Sequence, residues 1–281
     1  MTQNLRKINP CIDYYQKAGL NHDDKLNDWF KIALIDYEYL TSCRQLLQRI
    51  SLFKDRQVKL LDIGCGTGTF PTLLDNKITN QVKIFSDLLD VTDYALNRCS
   101  VALNRLTHFE TVETFLASAE NIETVIPRDS YYDIVWSIHS WYTLNAEKIK
   151  DILQYVWKLL KPNGVFLIYQ ASSDSCYCKL YDVYLESCKQ ANNLDRFITA
   201  EDIQQALDAI GLRYTTIDLC YDHTINCTDR DLLEVYLQKC IINHSVDVFS
   251  LFNEDVLAPF KSQGGQFCFP QTSKLIVIER A

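Results

Sequence analysis

Apolar positions along the chain follow two periods. Apolar runs of strand length are separated by longer stretches whose apolar residues recur at three- and four-residue spacing, the pattern of strands alternating with amphipathic helices. The first such stretch, Asp24 to Ile50, puts Leu26, Trp29, Phe30, Ala33, Leu34 and Tyr37 at helical spacing. Val58 to Ile63 reads as a buried strand and Gly68 to Leu74 as the opening of a helix. Val82 to Leu89 is a second strand, followed by a helix over Thr92 to Leu106 with Thr92 as its N-cap. Phe109 to Phe115 and Tyr132 to Ile138 give the third and fourth strands. A helix over Ala146 to Leu160 is stopped by Lys161-Pro162-Asn163-Gly164, and Val165 to Tyr169 is the fifth strand.

The second half keeps the alternation. Helices are expected over Cys176 to Ala191, Thr199 to Ile210, Asp229 to Ile241 and Val248 to Phe260. Thr199 to Asp202 has the form of a capping box with Asp in place of Glu or Gln, and Gly211 closes that helix. Leu212 to Leu219 and Lys274 to Glu279 complete seven strands, the last two placed at the sheet edge as an antiparallel pair. Alternation of this kind implies βαβ units, hence an α/β fold with a mostly parallel sheet and helices on both faces. No repeat, low-complexity tract or Gly/Ser linker divides the 281 residues, so a single domain over 1–281 is expected.

Charge and cysteine content narrow the function classes. The net charge is −8 and no run of Lys and Arg exceeds two, so the basic footprint of a nucleic-acid binder is missing. The eleven cysteines include no Cys-x-x-Cys pair; Cys176 and Cys178 stand one residue apart with no second pair at zinc spacing. No metal is expected. The first ten residues are polar, without an apolar signal core, and no apolar run approaches membrane-spanning length. These features point to a reducing cytoplasm and free buried thiols, with no membrane partner and a monomer as the default state.

The chemistry is carried by Leu60-Leu61-Asp62-Ile63-Gly64-Cys65-Gly66-Thr67-Gly68, where a buried strand turns into a helix. Glycines at alternate positions let the backbone turn tightly and approach a ligand closely. The spacing is not the Gly-x-Gly-x-x-Gly of dinucleotide sites, and no Walker lysine follows. Asp90 comes just after the second strand, 22 residues beyond Gly68, where an acid can accept two ribose hydroxyls; Asp87 is its rival, three residues earlier. Ser118 follows the third strand and reads either as an adenine contact or as a helix N-cap. Ile138, His139, Trp141 and Tyr142 lie at or past the carboxyl end of a central strand, where open α/β sheets bind their ligands.

The glycine motif, Asp90-Val91-Thr92, Ser118-Ala119-Glu120 and Leu159 to Val165 together resemble class I S-adenosyl-L-methionine-dependent methyltransferases over about residues 55–170. The resemblance implies a Rossmann-like fold and S-adenosyl-L-methionine as cofactor, held by Asp62, Gly64, Cys65, Gly66, Gly68, Asp90, Ser118 and Ile138. Phe197-Ile198-Thr199-Ala200-Glu201-Asp202-Ile203, Leu207 to Tyr214, Asp231-Leu232-Leu233 with Cys240, and Leu275 to Glu279 are similar to the histamine N-methyltransferase family. That similarity implies methyl transfer to the nitrogen of a small amine, beneath a small helical cap built from 1–50 and parts of 172–262. Positions matching the family's pocket are His139, Tyr142, Tyr177, Tyr181 and Gln271, with Tyr14, Tyr15 and Asp24 from the amino-terminal segment. His139 stands where the family has glutamine, Thr143 where it has a tyrosine, and Tyr177 and Tyr181 where it has tryptophans. Lys25 aligns with an expected acid, for which Asp24 is one residue off. These departures favour an amine other than histamine. His139 and Tyr142 are the catalytic candidates, His139 as acceptor of the amine's proton. The alternatives are a small-molecule O-methyltransferase and a non-catalytic regulatory protein that binds S-adenosyl-L-methionine. A nucleic-acid methyltransferase is disfavoured by charge and by the lack of an Asn/Asp-Pro-Pro-aromatic motif.

Overall fold

The computed structural model describes residues 22–54, 56–187 and 194–280. The chain begins there with helices α1 (His22–Thr41) and α2 (Arg44–Ser51), followed by β1 (Gln57–Ile63), α3 (Thr69–Asp75), β2 (Lys83–Asp90), α4 (Asp93–Leu103) and β3 (Phe109–Leu116). A short helix α5 (Ile122–Val125) leads to β4 (Tyr132–Ile138), α6 (Ile149–Leu159) and β5 (Leu160–Ala171). Then come α7 (Cys176–Ser187), α8 (Ala200–Ala209), β6 (Thr215–Asn226), α9 (Arg230–Cys240), the single turns α10 (Val248–Leu251) and α11 (Glu254–Leu257), and β7 (Gln266–Glu279).

The seven strands form one open sheet in the order β3-β2-β1-β4-β5-β7-β6. Strands β1 to β5 pair in parallel, with Asp62 opposite both Leu88 and Trp136, and β7 runs antiparallel to β5. This is the expected Rossmann-like α/β fold. The order reverses between β1 and β4, so the carboxyl ends of those strands flank the crevice where such sheets place ligands. Strand β4 is buried along its whole length, which is why Tyr132 to Ile138 is apolar apart from Asp133 and Ser137.

Several elements differ from the sequence reading, for local reasons. Asp24 to Ile50 is two helices. The Thr41 hydroxyl donates to the Glu38 carbonyl at 3.3 Å, and Cys43 takes an extended conformation ahead of α2. Val248 to Phe260 is likewise broken. Asp247 caps α10 by accepting from the Phe249 and Ser250 amides, and Asn253 starts α11 by accepting from Val256. Lys161 to Gly164 belongs to β5, because the Asn163 amide donates to the Arg280 carbonyl and the Arg280 amide to that of Gly164. Strands β6 and β7 are each longer than their apolar runs. The Thr92 cap and the Thr199–Asp202 capping box form as expected.

The described residues divide into two compact units. The larger, from 36–172, 198–219 and 273–281, contains β1 to β5. Its core packs Leu61, Val135, Trp141, Val156, Phe166 and Ile203 between the sheet, α6 and α8. The smaller, from the described residues within 22–35, 173–187, 194–197 and 220–272, contains α7, α9 and an aromatic cluster in which Trp29 stacks on Tyr236 with centroids 5.6 Å apart.

An ion-pair network anchors β2 to β4 in the larger unit. Arg128 donates to Asp87 at 2.5 Å and to Glu113 at 2.7 Å, and the Tyr132 hydroxyl donates to Asp87 at 2.8 Å. Burial and the neighbouring Asp87 push the Tyr132 hydroxyl's pKa up, so it stays protonated and keeps that bond. Asp87 is therefore committed to structure. Asp87→Ala leaves two donors without their acceptor and is expected to cost about 3 kcal/mol. Urea denaturation checks this: the midpoint falls while the slope is unchanged.

Candidate active site

The site is built from the carboxyl end of β1. Gly64, Gly66 and Gly68 all have positive φ, at 73°, 52° and 80°. The amides of Gly64 and Cys65 donate to the Leu89 carbonyl at 2.7 and 3.2 Å, which fastens the loop to the end of β2. Two of the glycines are needed for different reasons. A Cβ at Gly64 would overlap that of Ser140, whereas a Cβ at Gly66 would have no heavy atom within 4 Å. Gly66 therefore faces open space, a cradle into which a ligand can come against bare backbone.

Asp90 closes the loop from the β2 side. Its carboxylate accepts from the Gly66 amide at 3.0 Å and from the Thr92 amide at 3.1 Å. The Ala117 amide donates to the Asp90 carbonyl at 2.9 Å, which brings Ser118 beside Asp90. Of the two rival acids, Asp90 is the one at the glycine loop. Ser118 itself accepts from the Glu120 amide at 3.3 Å as an N-cap.

Of the two acids here, Asp62 is buried and Asp90 half-buried. Asp62 is 3% exposed, and its pKa rises from its ordinary 3.8 to about 7. Burial is the main cause, the charge of Asp90 adds to it, and Trp136, its register partner on β4, works the other way. Burial raises the Asp90 pKa as well, opposed by the amides it accepts from. The Cys65 thiol is held protonated by its contact with Cys99 and by burial. A cation beside the loop would favour the ionised form of both acids, and the two acids in turn favour a cation there.

Beyond β4, Ile138 is buried and pairs with Tyr169. His139 follows with φ 50°, a conformation few non-glycine residues adopt. Its amide donates to the Tyr169 carbonyl at 2.7 Å. Ser137 and Ser140 share a hydrogen bond at 2.5 Å on either side of it, and Ser140 Oγ donates to the Ile63 carbonyl at 2.8 Å. His139 Nε2 lies 3.6 Å from Asp36 Oδ2, and the Tyr169 ring stands edge-on at 4.5 Å. Tyr142 is half-buried and its carbonyl accepts from the Ile198 amide at 2.9 Å. Trp141 is fully buried against Phe166 and belongs to the core.

The remaining expected substrate residues belong to the smaller unit. Tyr177 and Gln271 are brought together there. Gln271 Oε1 accepts from Ser175 and from the Tyr177 amide, and Gln271 Nε2 donates to the Tyr236 hydroxyl at 3.0 Å. His223 completes the network, with Nδ1 3.2 Å from the Tyr236 hydroxyl and Nε2 3.3 Å from that of Tyr177. Tyr181 is stacked on Phe197 at 3.6 Å and is 2% exposed. Tyr14 and Tyr15 lie outside the described residues, and of Asp24 only its place in α1 is described. The sequence reading passed over three residues: Asp36, Ser140 and His223. Asp36 carried a signal, an acid between Ala33 and Leu40 on the buried face of α1, and so did His223, which alternates with Tyr221 and Ile225 on the inward face of β6. Among the described residues no three His, Cys, Asp or Glu side chains gather as metal ligands, and no helix is long and apolar enough to cross a membrane.

The comparisons agree with this geometry. Residues 35–217 match the family model for a methyltransferase domain. Histamine N-methyltransferase from Cavia porcellus is 24% identical over 181 residues, covering 62% of this chain and 60% of its own. Malonyl-[acyl-carrier protein] O-methyltransferase 2 from Ilyobacter polytropus is 23% identical over 174 residues, covering 61% and 62%. The chain thus matches about three fifths of the length of these curated relatives. A solved putative methyltransferase from Bacillus halodurans superposes with a TM-score of 0.54 at 15% identity, over 84% of this chain and 97% of its own. The chain belongs to the methyltransferase-domain family, in its class I S-adenosyl-L-methionine-dependent form. Its cofactor is S-adenosyl-L-methionine, and the open backbone at Gly66, with Asp62 on the preceding strand and Asp90 on its amide, fits that cationic group.

Two outcomes follow from the loop. Gly64→Ala is expected to lower the melting temperature by several degrees more than Gly66→Ala, because only the first adds a steric overlap to the cost of a positive φ, about 1–2 kcal/mol. Asp62 gives a pH signature. The folded chain keeps its Asp62 proton between about pH 4 and 7, where the unfolded chain has lost it, so its contribution to stability falls as pH rises through that range. Melting curves of Asp62→Asn without cofactor should gain on the natural chain from pH 5 to pH 8; parallel curves would exclude a raised Asp62 pKa.

Proposed function

We propose that this chain transfers a methyl group to the nitrogen of a small amine metabolite. The observation that carries the reading is the acidic character of the site, where Asp62 and Asp36 are buried and Asp90 is half-buried at the glycine loop. Such a site disfavours anionic acceptors and suits a cationic one. The likeness to histamine N-methyltransferases supports the same choice.

S-adenosyl-L-methionine supplies an electrophilic methyl group when bound. In our reading Asp62 and the backbone at Gly64, Cys65, Gly66 and Gly68 hold its amino-acid end, Asp90 its ribose, and Ser118 and Ile138 its adenine. The protein then has to hold the acceptor's lone pair in line with the transferred methyl at about 3 Å, and orientation alone supplies much of the acceleration. An aliphatic amine is protonated at neutral pH and must lose a proton first. His139 is the group we assign to accept it, with Tyr142 beside it in the acceptor site. Tyr177, Tyr181 and Gln271 are assigned to acceptor selection, and the smaller unit to the role of substrate cap. Transfer to oxygen is the second reading, carried by the likeness to malonyl-[acyl-carrier protein] O-methyltransferases.

The experiment is a calorimetric titration with S-adenosyl-L-methionine, then an assay of S-adenosylhomocysteine release over small amines, hydroxyl compounds and carboxylates. Cofactor binding with turnover on an amine is expected, and Asp90→Ala should weaken that binding at least about tenfold through the lost charge-assisted hydrogen bonds. Turnover on hydroxyl or carboxylate acceptors alone would transfer the reading to oxygen. Cofactor binding without turnover would favour a regulatory role.

A further inference from the structure

The geometry points to Asp36 as the positioning residue of a buried Asp36–His139 dyad, in which Asp36 fixes the proton on His139 Nε2 and so makes Nδ1 the nitrogen that takes the acceptor's proton. The inference rests on the amine reading above.

Three observations lead to it. First, Asp36 is an acid where the helix pattern calls for an apolar residue. It is 2% exposed and shares the buried face of α1 with Ile32, Ala33 and Leu40. A carboxylate placed there costs several kcal/mol of solvation, which a nearby cation or donor must offset. The ion-pair partner at hand is His139, whose Nε2 is 3.6 Å from Asp36 Oδ2. That separation is too long for a hydrogen bond and within the reach of an ion pair, as in sites whose bonds tighten when substrate arrives.

Second, His139 holds a backbone conformation at φ 50° that costs about 1–3 kcal/mol and persists only where the surroundings impose it. The surroundings do so from both sides. The His139 amide is fixed to the Tyr169 carbonyl, and the Ser137–Ser140 pair is fixed to the Ile63 carbonyl at the start of the glycine loop. The imposed turn aims His139 from the end of β4 while binding it to the cofactor loop.

Third, Asp36 is the acid that the described contacts set against the ring. From α1 it meets Asp36 and, edge-on at 6.3 Å, Tyr37; from β5 it meets Tyr169 at 4.5 Å. Asp62 on β1 acts on the Tyr37 hydroxyl, which burial and the charges of Asp36 and Asp62 keep protonated. Tyr37 therefore does not compete as a base.

The proton balance is simple. The acceptor's ammonium gives one proton to Nδ1, leaving a neutral amine with a free lone pair and an imidazolium. Asp36 neither gives nor takes a proton in this step, and its side chain faces the imidazolium. The lone pair then forms the N–CH3 bond as the S–CH3 bond breaks, and that bond's electron pair remains on sulfur. The proton later leaves from His139 to solvent.

The test is an NMR titration of the imidazole carbons in the full chain, with the His139 signal assigned from His139→Gln. An anion at this distance should raise the His139 pKa above its ordinary value of about 6.5, and Asp36→Asn should lower it by about one unit or more. The acid limb of the kcat/KM profile should move down in pH with it, and Asp36→Glu should restore part of both. A merely structural role for Asp36 would reduce activity without moving either. A His139 titration unchanged by Asp36→Asn overturns the proposal. So does a His139 pKa at or below about 6.5 in the natural chain, which needs no folded variant. A shifted titration with no turnover on any amine leaves the dyad standing and overturns the amine reading instead.

Discussion

The site depends on one carboxylate meeting one amide. Asp90, at the end of β2, accepts from Gly66 in the middle of a loop that starts at the end of β1. The loop's three left-handed glycines would otherwise be free to sample many conformations, since glycine loses more freedom on ordering than any other residue. The carboxylate and the Leu89 carbonyl take up its amides, Ser140 packs against Gly64 from the β4 side, and the bare backbone at Gly66 is presented to the crevice. Everything else in the site is placed relative to that loop. Ser118 is reached from Asp90 through Ala117, and His139 from Ile63 through Ser140.

The second constraint is electrostatic. Buried carboxylates are rare because water solvates charge so well, and burying Asp36 and Asp62, with Asp90 half-buried beside them, opposes the stability of the fold. Their persistence is understandable where the normal occupant brings positive charge. A sulfonium and an ammonium do this, and the same acids that weaken the empty protein then become favourable contacts. The burial of Asp62 and Asp90 beside the loop and of Asp36 beside His139 follows one logic.

Much of this was legible in the sequence, and the reasons are local. Strand β4 announced itself because every residue is buried, and the β1 loop because alternate glycines after an apolar run have few other uses. Asp90 was separable from Asp87 by its spacing, although the Arg128 and Tyr132 partners of Asp87 lie 41 and 45 residues away and could not be read from the chain. Helix breaks at Cys43 and Phe252 were missed because each is made by a side chain hydrogen-bonding its own backbone, without proline or glycine to mark it. The full lengths of β6 and β7 were missed because the added stretches, Cys220 to Asn226 and Gln266 to Ser273, alternate buried and more exposed positions and carry polar residues on both, so they form no apolar run. Asp36 and His223 were hidden for a common reason. A polar residue on an apolar face looks like noise in one dimension, and only tertiary structure supplies its partner.

The left-handed backbone at His139 bears on how this position would change under different pressures. Glycine and asparagine adopt that conformation at lower cost than most side chains. A population of variants sorted for thermal stability alone would therefore drift at 139 toward those two residues and shed the imidazole. A population sorted for turnover would hold the ring and carry the strain. Position 139 is thus a place where the fold and its chemistry ask for different amino acids, and the residue found there records which demand has prevailed.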